Sequence, residues 1–144
     1  MKDNAIYVYG FGNPGRQDDG MGPAMIDKLE AENIPGIVTD SNYQLYIEDA
    51  LNISQSDMVI FVDASIDAGE PFTFSRIEPS AEITFSTHTM SPESVLALCK
   101  DIYNKDMEAY VLAIKGYEWE FTEGFSGQAA YNFNEAYTFL LKKI

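Results

Sequence analysis

Three residues in this chain carry side chains suited to binding a metal and lie far apart in sequence: Asp19, Asp63 and His88. Asp19 follows the apolar run Ala5-Ile6-Tyr7-Val8-Tyr9 through a glycine-containing loop, Gly10-Phe-Gly-Asn-Pro-Gly15 and onward to Asp18-Asp19-Gly20. Asp63 closes a second apolar run, Met58-Val-Ile-Phe-Val62. His88, the chain's single histidine, stands in Thr87-His88-Thr-Met-Ser-Pro92, a few residues before a helix start. If both apolar runs are strands of one parallel sheet, their carboxyl ends share an edge, where ligands bind in open α/β folds. Two carboxylates and an imidazole on that edge suit nickel, zinc, iron or manganese. They do not match the three-histidine or two-histidine, one-carboxylate sets of catalytic zinc. The positive end of the following helix would favour the neutral imidazole that binds metal. An acid directly after five apolar residues costs free energy unless it has a partner or a task, which singles out Asp63.

Conventional hydrolytic sites are missing. With one histidine and no Gly-x-Ser-x-Gly elbow, a Ser-His-Asp arrangement is not supported. The lone cysteine, Cys99, sits in Leu96-Ala-Leu-Cys99, on the expected core face of a helix, so packing is its expected role. Gly10-x-Gly12-x-x-Gly15 formally matches a dinucleotide-binding fingerprint, with Asp40 ending the next strand as a ribose-binding acid might. However, Arg16-Gln-Asp-Asp19 intervenes before the helix, and two carboxylates would repel a pyrophosphate. A flavodoxin-like electron carrier would also be a small, acidic, aromatic-rich chain, but the first loop has no Ser/Thr-rich phosphate cradle.

The elements that must position these residues alternate between strand and helix patterns. Strands are expected at 5–9, at 37–39 ending on Asp40, at 58–62 and at 110–114, with a half-exposed strand at 72–77. Helices are expected at 23–32, with Pro23 in the first turn, and at 43–53, where the apolar pattern is imperfect. A further helix should follow the cap pair Ser91-Pro92, and the last should start near Ser126. The expected fold is α/β: one domain over 1–144, a three-layer sandwich with a mainly parallel twisted sheet and helices on both faces, of phosphorylase/hydrolase-like form. The 144 residues, 46% hydrophobic, suffice for one core.

Nine basic against 23 acidic residues give a net charge of −14. Such a surface repels nucleic acid and anionic membranes, so neither is an expected partner, while cations or a basic protein segment are compatible. No apolar run approaches the ~20 residues of a membrane span, and the N-terminus has no signal-peptide pattern. Together with the single cysteine, these features predict a cytoplasmic protein.

Four ordered motifs carry a resemblance that covers nearly the whole chain. Gly10-Phe-Gly-Asn13 with Asp18-Asp19-Gly20-Met-Gly22, then Val62-Asp63-Ala64, then Thr87-His88-Thr-Met-Ser-Pro, then Lys115-Gly116-Tyr-Glu118 with Glu123-Gly-Phe-Ser126, resemble the signatures of the nickel–iron hydrogenase maturation endopeptidases. That resemblance implies a peptide hydrolase that removes a C-terminal extension from a hydrogenase large-subunit precursor after nickel insertion. It implies Asp19, Asp63 and His88 as nickel ligands and catalytic residues, with Asn13, Asp18 and Asp40 supporting them. Nickel, or another divalent metal in its place, would arrive in the precursor's own cysteine-rich centre and serve as checkpoint or Lewis acid. Asp18 or Asp40 could instead be a general base. The family's first ligand is often glutamate, though aspartate is also common, and many members carry a Gly-Gly pair after the second strand. Here Asp40-Ser-Asn-Tyr43-Gln-Leu45-Tyr-Ile-Glu48 is similar to the subgroup serving cytoplasmic, cofactor-linked hydrogenases. The same three ligands would equally serve a non-catalytic metal-binding chaperone.

Overall fold

The computed structural model describes residues 5–80, 85–86 and 89–144. Its main sheet has five strands: β1 (Ile6–Phe11), β2 (Ile37–Asn42), β3 (Met58–Ser65), β4 (Phe72–Ile77) and β7 (Glu108–Lys115). Their order is β2-β1-β3-β7-β4. β1 pairs in parallel with β2 and β3, and β3 in parallel with β7. β4 alone is antiparallel, at the edge beside β7. Two short strands, β5 (Phe85–Ser86) and β6 (Thr89–Met90), form a separate antiparallel pair.

Among the described residues four α-helices complete the fold: α1 (Met21–Glu30), α2 (Asp49–Ile53), α3 (Pro92–Tyr103) and α4 (Gly127–Lys143). Alternation along the strands divides the core. Val8, Ile60, Val62, Leu112 and Ile114 face α1 and α4, meeting Met25, Leu29, Phe133 and Leu140. Tyr7, Tyr9, Val59, Phe61 and Ala109 face α2 and α3, meeting Ile53, Val95, Leu96 and Cys99. Each central strand is therefore apolar on both faces, as strands covered by helices on each side must be. On β4, Phe72 and Phe74 turn inward against Phe139 of α4, ring centroids 5.0 Å away in each case, and Thr73 and Ser75 are more open. The α/β sandwich and its mainly parallel sheet are as the sequence predicted.

The caps were legible too. Ser91 accepts the Ser94 N–H at 3.1 Å ahead of Pro92, and Ser126 accepts the Ala129 N–H at 3.4 Å at the start of α4. Cys99 is buried, with its Sγ 3.5 Å from the Ala50 carbonyl, and burial pushes the thiol up to about 11. Among the described residues no helix is long and apolar enough to cross a membrane.

β1, β3 and β7 run longer than expected, to Phe11, Ser65 and Lys115, and three further boundaries differ. The predicted helix over 43–53 is helical only from Asp49. Before it the chain is held open by specific bonds: the Tyr43 N–H donates to the Asn42 side chain at 2.8 Å, the Met90 N–H to the Leu45 carbonyl at 3.0 Å, and the Tyr46 N–H to the Asp49 carboxylate at 2.8 Å. Such side-chain acceptors offer the backbone an alternative to the helical ladder. Asp40 lies inside β2, paired with Tyr9, because the strand continues to Asn42. α1 begins at Met21 after a 3-10 turn over Gln17–Gly20, which leaves Pro23 in its first turn, where no N–H is needed.

Candidate metal and substrate site

The chain leaves β1 for β2 on one side and returns to place β3 on the other, so the strand order reverses between β1 and β3. Such a reversal opens a crevice at the carboxyl ends of the strands. Asp63 stands at that opening. β1 pairs with β3 as far as Gly10 opposite Val62, whereas β7 follows β3 two residues beyond Asp63, to Ser65. The carboxylate therefore projects from a rigid strand just where one neighbour departs.

The loop after β1 brings Asp19 to the same place. Gly12 adopts φ +144°, and a Cβ there would lie 2.0 Å from the Asp19 carbonyl oxygen, so no larger residue fits against the turn that carries Asp19. Gly22 opens α1 against β1 and β3; a Cβ on it would meet the Phe11 carbonyl at 2.5 Å and the Val62 carbonyl at 2.8 Å. The glycines thus serve close backbone approach rather than a phosphate cradle. Asn13 supports Asp19 directly, its N–H donating to Asp19 Oδ2 at 2.9 Å. Its side-chain oxygen accepts the Gly15 N–H at 2.9 Å, closing the turn.

The electrostatics of the pair are unusual for two aspartates. Burial, with a second push from the negative charge of Asp19, raises the Asp63 carboxyl to about 7, against one opposing hydrogen bond from the Ala64 backbone. Two carboxylates brought together without a cation repel one another, and a bound divalent ion would reverse that penalty. The donor chemistry fits a hard or borderline divalent metal. Among the described residues no group of three or more histidine, cysteine, aspartate and glutamate side chains is placed to hold a metal. His88, the third expected ligand, lies outside the described residues. The strand after it, Thr89–Met90, is fastened to the loop after β2 through the Met90-to-Leu45 hydrogen bond.

Asp18, the neighbour of Asp19, has the opposite surroundings. It is fully buried. Oδ2 accepts the N–H groups of Tyr117 (2.7 Å) and Glu118 (2.9 Å) and the Ser126 hydroxyl (2.8 Å), and Oδ1 accepts the Ser126 N–H (2.8 Å). Burial alone would raise this carboxyl, but the Tyr117, Ser126 and Glu118 backbone donors and the Ser126 hydroxyl outweigh it and hold the pKa below the ordinary aspartate value. A buried carboxylate with its oxygens so engaged does not serve as a general base; it fastens the loop. The fastening is reinforced by Arg16 Nε donating to the Trp119 carbonyl at 2.8 Å and by the Gln17 N–H donating to the Thr122 carbonyl at 2.9 Å.

Residues 115–118 and 123–126, which carry the fourth motif of the sequence resemblance, supply the donors that clamp Asp18. Trp119, in the same segment, packs against the α1/α4 core, and its Nε1 is buried without a partner among the described residues. Phe121 is 83% exposed, with the Arg16 guanidinium 5.5 Å from its ring centroid. Asp40 accepts the Tyr7 hydroxyl at 3.3 Å and its own neighbour's N–H, from Ser41, at 2.8 Å. It lies on the strand beyond β1 from Asp63.

The fold assembled here is that of the hydrogenase maturation proteases. The hydrogenase maturating endopeptidase HybD of E. coli superposes with a TM-score of 0.75 over 96% of this chain and 91% of its own, at 16% identity. The [NiFe] hydrogenase maturation protease HycI of Thermococcus kodakarensis gives a TM-score of 0.73 with the same coverage, at 20% identity. In sequence, the chain is similar over its whole length to a putative hydrogenase maturation protease of Methanocaldococcus jannaschii, at 26% identity and 99% of that protein. No family model matches the chain. The resemblance read from the four motifs is therefore met independently by a relative in sequence and by neighbours in structure.

Proposed function

We propose that this protein is an endopeptidase of hydrogenase maturation, which removes the C-terminal extension of a nickel–iron hydrogenase large-subunit precursor once nickel has been inserted. The observation that carries the reading is the Asp19–Asp63 pair at the sheet reversal, where Asp63 is held near neutrality by burial and by Asp19. In this reading nickel belongs to the substrate. Asp19, Asp63 and His88 complete its coordination when the precursor docks, so the metal reports that insertion is finished and polarises the nearby peptide carbonyl.

The chain's own residues then have distinct tasks. Asn13 orients Asp19 through the 2.9 Å backbone bond. Asp18 holds the loop against the 116–126 segment. Asp63 loses its proton as the cation arrives, because metal and proton compete for the same oxygens. Asp40, on β2, accepts the Tyr7 hydroxyl and the Ser41 N–H and is the remaining candidate for a general base. A cytoplasmic location agrees with the composition.

The test is cleavage of a cognate large-subunit precursor, followed by mass, with and without nickel loading. Nickel-dependent loss of a C-terminal peptide is expected, abolished in Asp63→Ala while that variant stays folded. An intact, verified nickel-loaded precursor after incubation would overturn the protease reading and leave a metal-binding chaperone in its place.

A further inference from the structure

A single apolar side chain on a surface is ordinary and asks for no explanation. Phe121 differs in how it is held. It is the most exposed large apolar side chain among the described residues, at 83%, and the next, Ile102, reaches 62%. Its neighbours Tyr117, Trp119 and Phe125 pack against the α1/α4 core, and Phe121 does not. Yet the backbone on both sides of it is pinned. Arg16 Nε donates to the Trp119 carbonyl at 2.8 Å, the Glu120 N–H to the Gln17 side-chain oxygen at 2.8 Å, and the Gln17 N–H to the Thr122 carbonyl at 2.9 Å. The Thr122 N–H also donates to the Glu120 carbonyl at 2.8 Å, which closes a three-residue turn with Phe121 at its apex. The Arg16 guanidinium lies 5.5 Å from the ring centroid and supports the ring from the side of the loop. The turn thus fixes an aromatic ring in water.

We infer that Phe121 is an anchor by which the protein docks the large-subunit precursor, its ring entering an apolar depression bordered by lysine or arginine side chains. The inference rests on the endopeptidase reading, because the precursor is the partner which that reading supplies. Place favours this partner. The Asp19 N–H donates to the Arg16 carbonyl at 3.1 Å, so the turn that pins Phe121 also carries Asp19, and a protein seated on the ring comes down over the loop of the candidate site. Charge favours a basic border. Segments 12–20 and 116–126 hold Asp18, Asp19, Glu118, Glu120 and Glu123 against one basic residue, Arg16, which is already committed to the Trp119 carbonyl and the Phe121 ring. Glu118, Glu120 and Glu123 are exposed around the ring's segment, and a partner with cations at its rim would complement them. Energetics favour an anchor. Aromatic side chains are enriched at the centres of interfaces, and one already held in place loses little freedom on docking.

The test measures binding and cutting of the cognate nickel-loaded precursor separately, as Kd and as kcat and KM. Phe121→Ala should weaken binding and raise KM by roughly ten- to a hundred-fold while kcat holds. Phe121→Leu, which keeps an apolar side chain, should recover part of the loss. Ile102→Ala, at an exposed apolar position on α3, should bind as the parent does. Changing Glu120 and Glu123 together to glutamine should slow association several-fold at low salt and flatten its salt dependence. The single tryptophan, Trp119, stands two residues from Phe121, and its emission should be the same in Phe121→Ala as in the parent, because the turn stays in place. Parent-like Kd and KM in Phe121→Ala, an equal loss in Ile102→Ala, a fall in kcat alone, or a shifted Trp119 emission would overturn the anchor. Unchanged association of the glutamine pair would overturn the basic border. A parent that binds the precursor without cutting it overturns the endopeptidase reading alone, and the Kd values still decide the anchor. A parent that does not bind the precursor overturns the anchor itself.

Discussion

Replacing Asp18 with asparagine tests whether the clamp between the Asp19 loop and the 116–126 segment is a principal source of this fold's stability. The parent carboxylate accepts four hydrogen bonds between 2.7 and 2.9 Å in a fully buried position. Asparagine retains one acceptor oxygen. Its least costly orientation puts that oxygen at the Oδ2 position, to serve Tyr117, Glu118 and the Ser126 hydroxyl, and turns the amide donor towards the Ser126 N–H. Three bonds then lose charge assistance, worth roughly 1 kcal/mol each, and one buried N–H loses its acceptor, at roughly 1–3 kcal/mol. The lower desolvation cost of a neutral side chain offsets part of this. A net loss of roughly 2–4 kcal/mol follows, a large share of the ~5–15 kcal/mol that holds a typical domain together. Asp18→Ala, which leaves three backbone donors without their acceptor, should cost more.

Urea unfolding at neutral pH measures the difference, and acid adds a second dimension to it. Because the folded pKa of Asp18 is depressed, its contribution is fully present above the ordinary aspartate pKa near 4 and is lost as pH falls through the folded value. The gap between parent and Asp18→Asn should therefore narrow in strong acid. A variant within about 0.5 kcal/mol of the parent at pH 7, or a gap independent of pH, would refute the clamp.

Other consequences can be checked with the same protein. Asp63 behaves oppositely to Asp18: its folded pKa of about 7 exceeds the unfolded value of 3.8, so its own contribution to stability is full in acid and declines from about pH 4 to about pH 7. A shift of that size corresponds to roughly 4 kcal/mol, so metal-free Asp63→Asn should be the more stable protein at pH 8 in urea titrations, with little difference near pH 3. Gly22→Ala, whose Cβ would press on the Phe11 and Val62 carbonyls, should lower stability by roughly 1–3 kcal/mol and the thermal midpoint with it. Cys99, buried with its thiol raised to about 11, should react with a thiol reagent at pH 8 only after urea unfolds the chain.

Local and periodic features were legible in the sequence. Continuous apolar runs marked β3 and β7, alternation marked β4, and the Ser91 and Ser126 caps marked two helix starts. Asp19 and Asp63 could be placed on one sheet edge because parallel strands leave little choice. What could not be read were bonds between segments about a hundred residues apart. Nothing in the pattern of Asp18 distinguishes it from Asp19; only the folded chain brings Tyr117, Glu118 and Ser126 to it. The segment 43–48 failed as a helix for the same reason, since Tyr9 and Met90 compete for its polar groups and neither is near it in sequence.

The two adjacent aspartates show how the fold divides stability from function. A carboxylate can stay ionised inside a protein if donors surround it, and Asp18 has them on both oxygens. Asp19, one residue on, takes the Asn13 N–H and presents its charge towards Asp63. That repulsion would open the loop if the loop were held only by its own turn. Because the Asp18 clamp binds the loop to the segment after β7, the two acids are kept together at a cost to the metal-free protein. The surroundings lower the pKa of Asp18 and raise that of Asp63, and such opposite shifts mark carboxylates with different roles. On the proposed reading, the stabilising change at Asp63 and the destabilising one at Asp18 should converge on one functional outcome, loss of nickel recognition. They should do so by different routes: Asp63→Asn in a chain more stable than the parent at pH 8, Asp18→Asn in one less stable. Full nickel recognition in either variant would separate the clamp from the site it is argued to hold.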